Sequence, residues 1–449
     1  MLFLSIDFGT SAVKISIVDD EGGILCSAKE DYHYIILPGE KSELAPDDLM
    51  TAFFAATARL DPALRERVEY LCYDTFSPSP VFLDTEGELV YPNIITHMDR
   101  RSRRQSDDIE EIIGKDTYMN IAGIYPFAGG CSAMTFLWFL QNEPEVYNRT
   151  YRIGHLTTFI HKKLTGLFMV DFVNASMMGL YETTTQRGWS QEIIHALGLK
   201  EDYFGEVFLP GTPGGTLLPE IATRMGIRSG IPVAIGTNDV AAAQMGAKNM
   251  SAGKIMNTAG SSEMVSILTD VPKVNPHYYL RNAALPGLWQ IYATTAGGFA
   301  VDWFYHQFCR ELAPKVYFGD YIANALEAHG KDNVVTFDPF LTGDRQSLEK
   351  KTAAWNGLTL AATREEMLAA MLRSMQGVLS TTIAEAGEVV ALDHVIKISG
   401  GMVTDTYLDL KRRCIPGFTF EVVDECPTLG NVELVKYYQR QEEFLIDDG

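Results

Sequence analysis

Residues 2–18 read LFLSIDFGTSAVKISIV, and this stretch decides the fold. An apolar run, Leu2–Asp7, has the length and composition of a buried strand. Gly9-Thr10-Ser11 makes a turn, and Val13–Val18 resumes a strand pattern. Asp19-Asp20-Glu21-Gly22-Gly23 is a second turn, and GILCSAKE supplies a third strand. The chain therefore opens with antiparallel strands around turns. A dinucleotide or P-loop domain would pass from its first strand through a glycine turn into a helix.

Outward from this segment the pattern is mixed α/β. Residues 46–64, 100–113 and 133–141 read as helices, and 68–74 and 79–84 as strands. Gly230–Gly236 reads as a strand with Asn238-Asp239 at its exit and a small-residue helix over 240–247. A second strand, glycine turn and strand follow: KIMN, Thr258–Ser262 and EMVSIL. The C-terminal half thus begins as the N-terminal half does, and two related domains, 1–237 and 238–449, are expected. Thr363 and Glu366 form a capping box for a helix over 363–388. Residues 394–398 read as a strand ending in Ser399-Gly400-Gly401.

The length of 449 residues suits two or three domains. A formal net charge of −21 argues against nucleic acid or an anionic membrane as partner. The basic run Arg100, Arg101, Arg103, Arg104 reads as a helix start with structural ion pairs. Cysteines at 26, 72, 131, 309, 414 and 426 form no CxxC pair and no metal spacing with histidine, which fits a reducing compartment. No apolar run approaches the roughly 20 residues of a membrane helix, and the short N-terminal run lacks a basic flank. A cytoplasmic protein is expected.

Four segments can carry chemistry. Asp7-Phe8-Gly9-Thr10-Ser11, with Lys14 behind it, can turn backbone N–H groups and hydroxyls toward phosphate, with Asp7 holding hydrated Mg²⁺; an ordinary hairpin has the same look. Asp239 can be a general base at a strand exit or a helix N-cap. Thr258-Ala-Gly260-Ser261-Ser262 is a second phosphate loop or a plain turn. Gly400 and Gly401 allow close approach of a flat ring or simply tighten a strand–helix connection. Neither Walker A nor GxGxxG occurs, and Asp-Phe-Gly at residue 7 stands far too early for a protein kinase.

In this order the four segments resemble the FGGY carbohydrate kinase family, of the actin, hexokinase and heat-shock ATPase fold. DFGTS at 7–11 is similar to its first phosphate motif, and GTNDVAAAQMGA at 236–247 to the segment with its catalytic aspartate. GSS at 260–262 and SGG at 399–401 resemble its second phosphate and adenosine motifs, MDRR at 98–101 its sugar segment, and DPFLTGDR at 338–345 a further loop. The resemblance implies two ribonuclease-H-like domains around an interdomain cleft, with ATP and Mg²⁺. It assigns Asp239 as catalytic base and Asp7 to the metal. ATP would meet Gly9, Thr10, Ser11, Lys14, Thr258, Gly260, Ser261, Ser262, Gly400 and Gly401. The sugar would meet Thr75, Ser77, Asp99, Arg100 and Asp239. Departures from the family pattern fall at Thr135, Arg373, Met402, Asp344 and Ser77-Pro78. The acceptor implied by overall resemblance is a ketopentose such as xylulose. Gluconate, glycerol or another polyol is the alternative, a non-catalytic nucleotide or sugar sensor is the reading of another class, and a homodimer is possible by analogy.

Overall fold

A computed structural model describes residues 1–127, 129–329, 334–341 and 351–447. The opening segment forms β1 (Leu2–Phe8), β2 (Ala12–Asp19) and β3 (Ile24–Asp31), paired antiparallel in sequence. β1 is almost wholly buried on both faces, as a central strand must be, whereas β3 alternates half-buried and exposed residues as an edge strand does. β4 (Tyr70–Thr75) adds parallel to β1. β5 (Pro213–Thr216) and β6 (Pro232–Ala234) complete the order β5-β6-β4-β1-β2-β3, and the short Thr237–Asn238 strand also pairs with β4.

The second half repeats this plan. β7 (Ile255–Ala259), β8 (Ser262–Thr269), β9 (Tyr279–Asn282), β10 (Trp289–Ala296), β11 (Val395–Ser399) and β12 (Thr419–Val422) lie in the order β9-β10-β8-β7-β11-β12. Strands β7, β8 and β10 are antiparallel neighbours, and β11 and β12 are parallel to β7. The core order β3-β2-β1-β4-β6 is thus matched by β10-β8-β7-β11-β12. Each half has one glycine turn between its first two strands and one parallel strand ending beside that turn.

Each sheet is covered by helices. Leu49, Phe53 and Ala56 of the helix Pro46–Arg59 pack on Leu4, Ile6, Phe8, Val13 and Ile15. The long helix Arg364–Gly387 buries Leu379 and Ile383 against Ile255, Ile267 and Ile291. Its capping box is present as read. The helix expected over 46–64 is broken at Leu60, because Asp61 accepts from Ala63 N at 2.8 Å and starts a new turn with Pro62 at its first position.

The C-terminal helix, Cys426–Asp447, returns to the first sheet. Its Val432 and Val435 are buried with Phe3, Val18, Tyr70 and Cys72, and Ser5 Oγ donates to Thr428 O at 2.7 Å. It also crosses the helix Asp239–Gly246 at backbone contact, where a Cβ on Gly430 would overlap the Ala242 carbonyl and one on Gly246 the Cys426 carbonyl. By sequence this helix belongs with residues 238–449, and by packing it ties both halves together.

Candidate active site

The β1–β2 turn leaves Thr10 and Ser11 exposed while its backbone is fixed: Gly9 N donates to Ala12 O at 3.0 Å, and Tyr32 donates its hydroxyl to Gly9 O. Asp7 stands at the end of β1, beside Asp74 on β4 in parallel register. Asp74 is fully buried, and its Oδ2 accepts from Asn431 Nδ2 of the C-terminal helix at 2.6 Å. Burial raises Asp7 to about 6, and burial with the charges of Asp7 and Asp239 raises Asp74 well above the carboxylate range. Asp74 Oδ1 has no hydrogen-bond partner among the described residues, and the two neighbouring carboxyls oppose each other's ionisation. Lys14, paired in register with Asp7, forms an ion pair with Glu425.

Asp239 joins this acidic group from the start of its helix. The cap is Asn238, whose Oδ1 accepts from Val240 N at 3.1 Å and Ala241 N at 3.4 Å. Asp239 is thereby released from the capping task. Its Oδ1 accepts from Asn238 Nδ2 at 2.7 Å and Val240 N at 2.8 Å. Burial, and next the charge of Asp7, raise it to about 7. A carboxylate poised there is matched to proton abstraction near neutral pH. Around it stand Tyr34, whose buried hydroxyl has no hydrogen-bond partner among the described residues, and Phe76, with ring centroids 5.9 Å apart.

The second pair of segments also meets. Thr258 and Ser399 are register partners on β7 and β11, so the Gly260–Ser262 turn and Gly400-Gly401 lie at one end of the sheet. Gly298 N donates to Gly260 O at 2.8 Å and Phe299 N to Ser261 O at 3.0 Å, which pins the turn to the helix Gly298–Phe308. Gly400 has φ +118°, and a Cβ there would overlap the Ala259 carbonyl. Gly401 faces open space. The residue after the turn, Glu263, is fully buried with Lys411, and Tyr407 and Gln376 close the network with bonds of 2.6 and 3.0 Å to Glu263 Oε2.

The expected sugar residues divide. Thr75, fully buried at the end of β4, has no hydrogen-bond partner for Oγ1 among the described residues and pairs in register with Phe8 and Asn238. Ser77 donates to Asn174 Oδ1 at 2.6 Å, so its hydroxyl is engaged inside the domain. The Asp99 carboxylate is filled by Ser42 N at 2.8 Å and by Arg101 at 2.8–3.0 Å, and Glu43 completes this buried cluster. Arg101, the arginine next to the one expected at the sugar, is the cation that Asp99 pairs with. Arg100 donates to His97 O at 2.7 Å and Asp99 O at 2.9 Å.

Among the departures, Arg373 holds His329 O and Val335 O, and Thr135 lies 3.4 Å from Ser102. Met402 N donates to Ala259 O at 3.0 Å. Asp344 lies outside the described residues. Sequence reasoning missed Asp74, Asn431, Tyr34 and Arg281. The signal for Asp74 was a charge inside a mostly apolar strand; Arg281, Asn431 and Tyr34 gave none.

Comparisons with known proteins agree with this fold. Residues 2–246 match the N-terminal domain of the FGGY family of carbohydrate kinases. A xylulose kinase of Bacillus subtilis (strain 168) is 24% identical over 420 residues, 91% of this chain and 82% of the relative. A gluconokinase of Bacillus licheniformis is 26% identical over 395 residues, 83% of this chain and 74% of the relative. In fold, the chain is similar to a gluconate kinase from Lactobacillus acidophilus, with TM-score 0.86, 20% identity, and 98% and 90% of the two chains covered. A ligand-bound xylulose kinase from the same organism gives TM-score 0.85, again at 20% identity and with 98% and 90% covered. Among the described residues no helix is long and apolar enough to cross a membrane. Two sheets of one topology, each with its glycine turn, an aspartate released from capping beside the first, and a family match across more than half the chain lead to one assignment: this chain belongs to the FGGY family of carbohydrate kinases.

Proposed function

We propose that the chain transfers the γ-phosphoryl group of ATP to a hydroxyl of a small open-chain sugar or sugar derivative, and that its two sheets act as two units divided near residues 237–238. The observation that carries this reading is Asp239: a carboxylate freed from capping by Asn238, raised to about 7, and set beside Asp7. Asp239 takes the proton of the attacking hydroxyl.

The residues present fit the donor and its metal. Thr10 and Ser11 offer exposed hydroxyls, the Gly260–Ser262 turn is anchored but open at Ser261, and Gly401 leaves room for a ring. These residues, with Gly9, Thr258 and Gly400, would hold ATP. Asp7 would hold hydrated Mg²⁺, which when bound supplies charge neutralisation at the phosphates. Lys14 is engaged by Glu425 and would act through Asp7 and not as a free phosphate ligand. Positioning and exclusion of water are then the main tasks of the chain.

Relatives named xylulose kinase support a ketopentose acceptor, and relatives named gluconokinase support a sugar acid. The test is ADP release from ATP and Mg²⁺ across ketoses, sugar acids and polyols against a blank without acceptor. Acceptor-dependent ADP is expected. ATP binding with no acceptor-dependent turnover would return the chain to the sensor reading.

A further inference from the structure

Among the described residues, Arg281 is a buried cation that pairs with no carboxylate. It lies on β9, and its residue is 6% exposed. Among the described residues it forms no ion pair, and its Nε has no hydrogen-bond partner. Its guanidinium carbon sits 4.5 Å from the Tyr292 ring centroid and 5.6 Å from that of Tyr279. These rings are cross-strand neighbours on the same face of the sheet. They share a cluster with Phe127, Cys131 and Val240, and Phe127 stacks on Tyr279 at 5.1 Å. The face that bears Arg281 is therefore the face packed against the start of the helix carrying Asp239. The fields of Asp239 and Cys131 both reach the guanidinium.

Aromatic faces hold a guanidinium in place but leave its charge and its forked N–H groups unanswered. A charge taken out of water in this way is retained where something else neutralises it. Asp239 is at hand but forms no ion pair with it. The fork matches a planar carboxylate. Resting on the kinase reading above, we infer that Arg281 seats a carboxylate of the acceptor, so that the substrate class is an aldonate-type sugar acid whose hydroxyls then run past Asp239. The chemistry is consistent with its surroundings. Asp7, Asp74 and Asp239 gather carboxylates here, and an anionic acceptor needs a fixed cation beside them.

The experiment compares kcat/KM for C5 and C6 aldonates with that for ketoses and alditols of the same carbon number, in the wild type, Arg281→Leu and Arg281→Lys. The expected result is that the wild type prefers aldonates, and that the acid-to-neutral preference ratio falls about 100-fold in Arg281→Leu. Arg281→Lys should retain part of the preference, because the charge survives without the fork. A wild type that prefers neutral sugars overturns the inference while leaving the kinase reading intact. So does an Arg281→Lys enzyme whose KM rises for ATP alone, since Arg281 would then serve the phosphates. If no acceptor of either class draws ADP from ATP, the kinase reading fails, and titration calorimetry decides the inference by itself. Aldonate binding weakened in Arg281→Lys upholds it, and no aldonate binding to the wild type overturns it.

Discussion

Asp74 faces Asp7 from the neighbouring parallel strand, in register, and its outer oxygen is held by Asn431 from the last helix of the chain. Asp74 and Asn431 are 357 positions apart, so a contact between the two ends of the chain supports the carboxylate expected to hold Mg²⁺. Asn431→Leu should leave the Asp74 carboxyl buried without its donor, at a cost of about 1–3 kcal/mol. The Mg²⁺ concentration for half-maximal activity should rise with it. The double variant Asp74→Ala/Asn431→Leu should recover much of the stability. Denaturation of the three variants measures the coupling, and strictly additive losses would show that the two residues act independently.

Asp239 should govern the pH profile. Its carboxyl is raised to about 7, chiefly by burial and then by Asp7. Below that pH it is protonated and cannot accept the proton of the substrate hydroxyl, so kcat/KM should fall as pH drops, with a midpoint near 7. Asp239→Asn should lower kcat by at least ~100-fold while ATP binding, followed by calorimetry, persists. Near-normal turnover in that variant, or a flat profile from pH 6 to 8 in the wild type, would remove Asp239 from the base role.

Much of this was legible in the sequence because local chemistry wrote it there. The strand–turn–strand at 2–18, the capping box of Thr363 and Glu366, and the four glycine-bearing segments depend on residues close together in the chain. What escaped depends on long-range packing. Arg100 and Arg101 are indistinguishable in sequence, yet Arg101 is the one that meets Glu43 and Asp99 in the interior. The same cluster holds Asp99. Asn431 and Asp74 are 357 positions apart, and only the return of the C-terminal helix brings them together. The break at Asp61-Pro62 was different, because an N-cap followed by proline was readable there.

The buried pair of Glu263 and Lys411 lies directly behind the second glycine turn, with both side chains wholly inaccessible. Lys411→Met should strand the Glu263 charge and cost about 3–5 kcal/mol. Glu263→Leu/Lys411→Met removes both charges and should restore most of that loss, although Tyr407 and Gln376 then lose their shared acceptor. Urea midpoints of the single and double variants check this. A double variant as unstable as Lys411→Met would mean that packing, and not the stranded charge, dominates.

Gly400 and Gly401 separate a structural demand from a binding one. Alanine at 400 meets both φ +118° and the Ala259 carbonyl, so Gly400→Ala should unfold at lower temperature and bind ATP poorly as a consequence. Among the described residues nothing lies within 4 Å of a Cβ at 401. Gly401→Ala should therefore keep wild-type thermal stability, and yet raise KM for ATP by about 10-fold if a base or ribose occupies that space. KM for the acceptor should move far less, because the acceptor is expected on the Asp239 side. Thermal melts and steady-state kinetics on the two variants make the distinction, and an unchanged ATP KM in a stable Gly401→Ala enzyme would place the adenosine elsewhere.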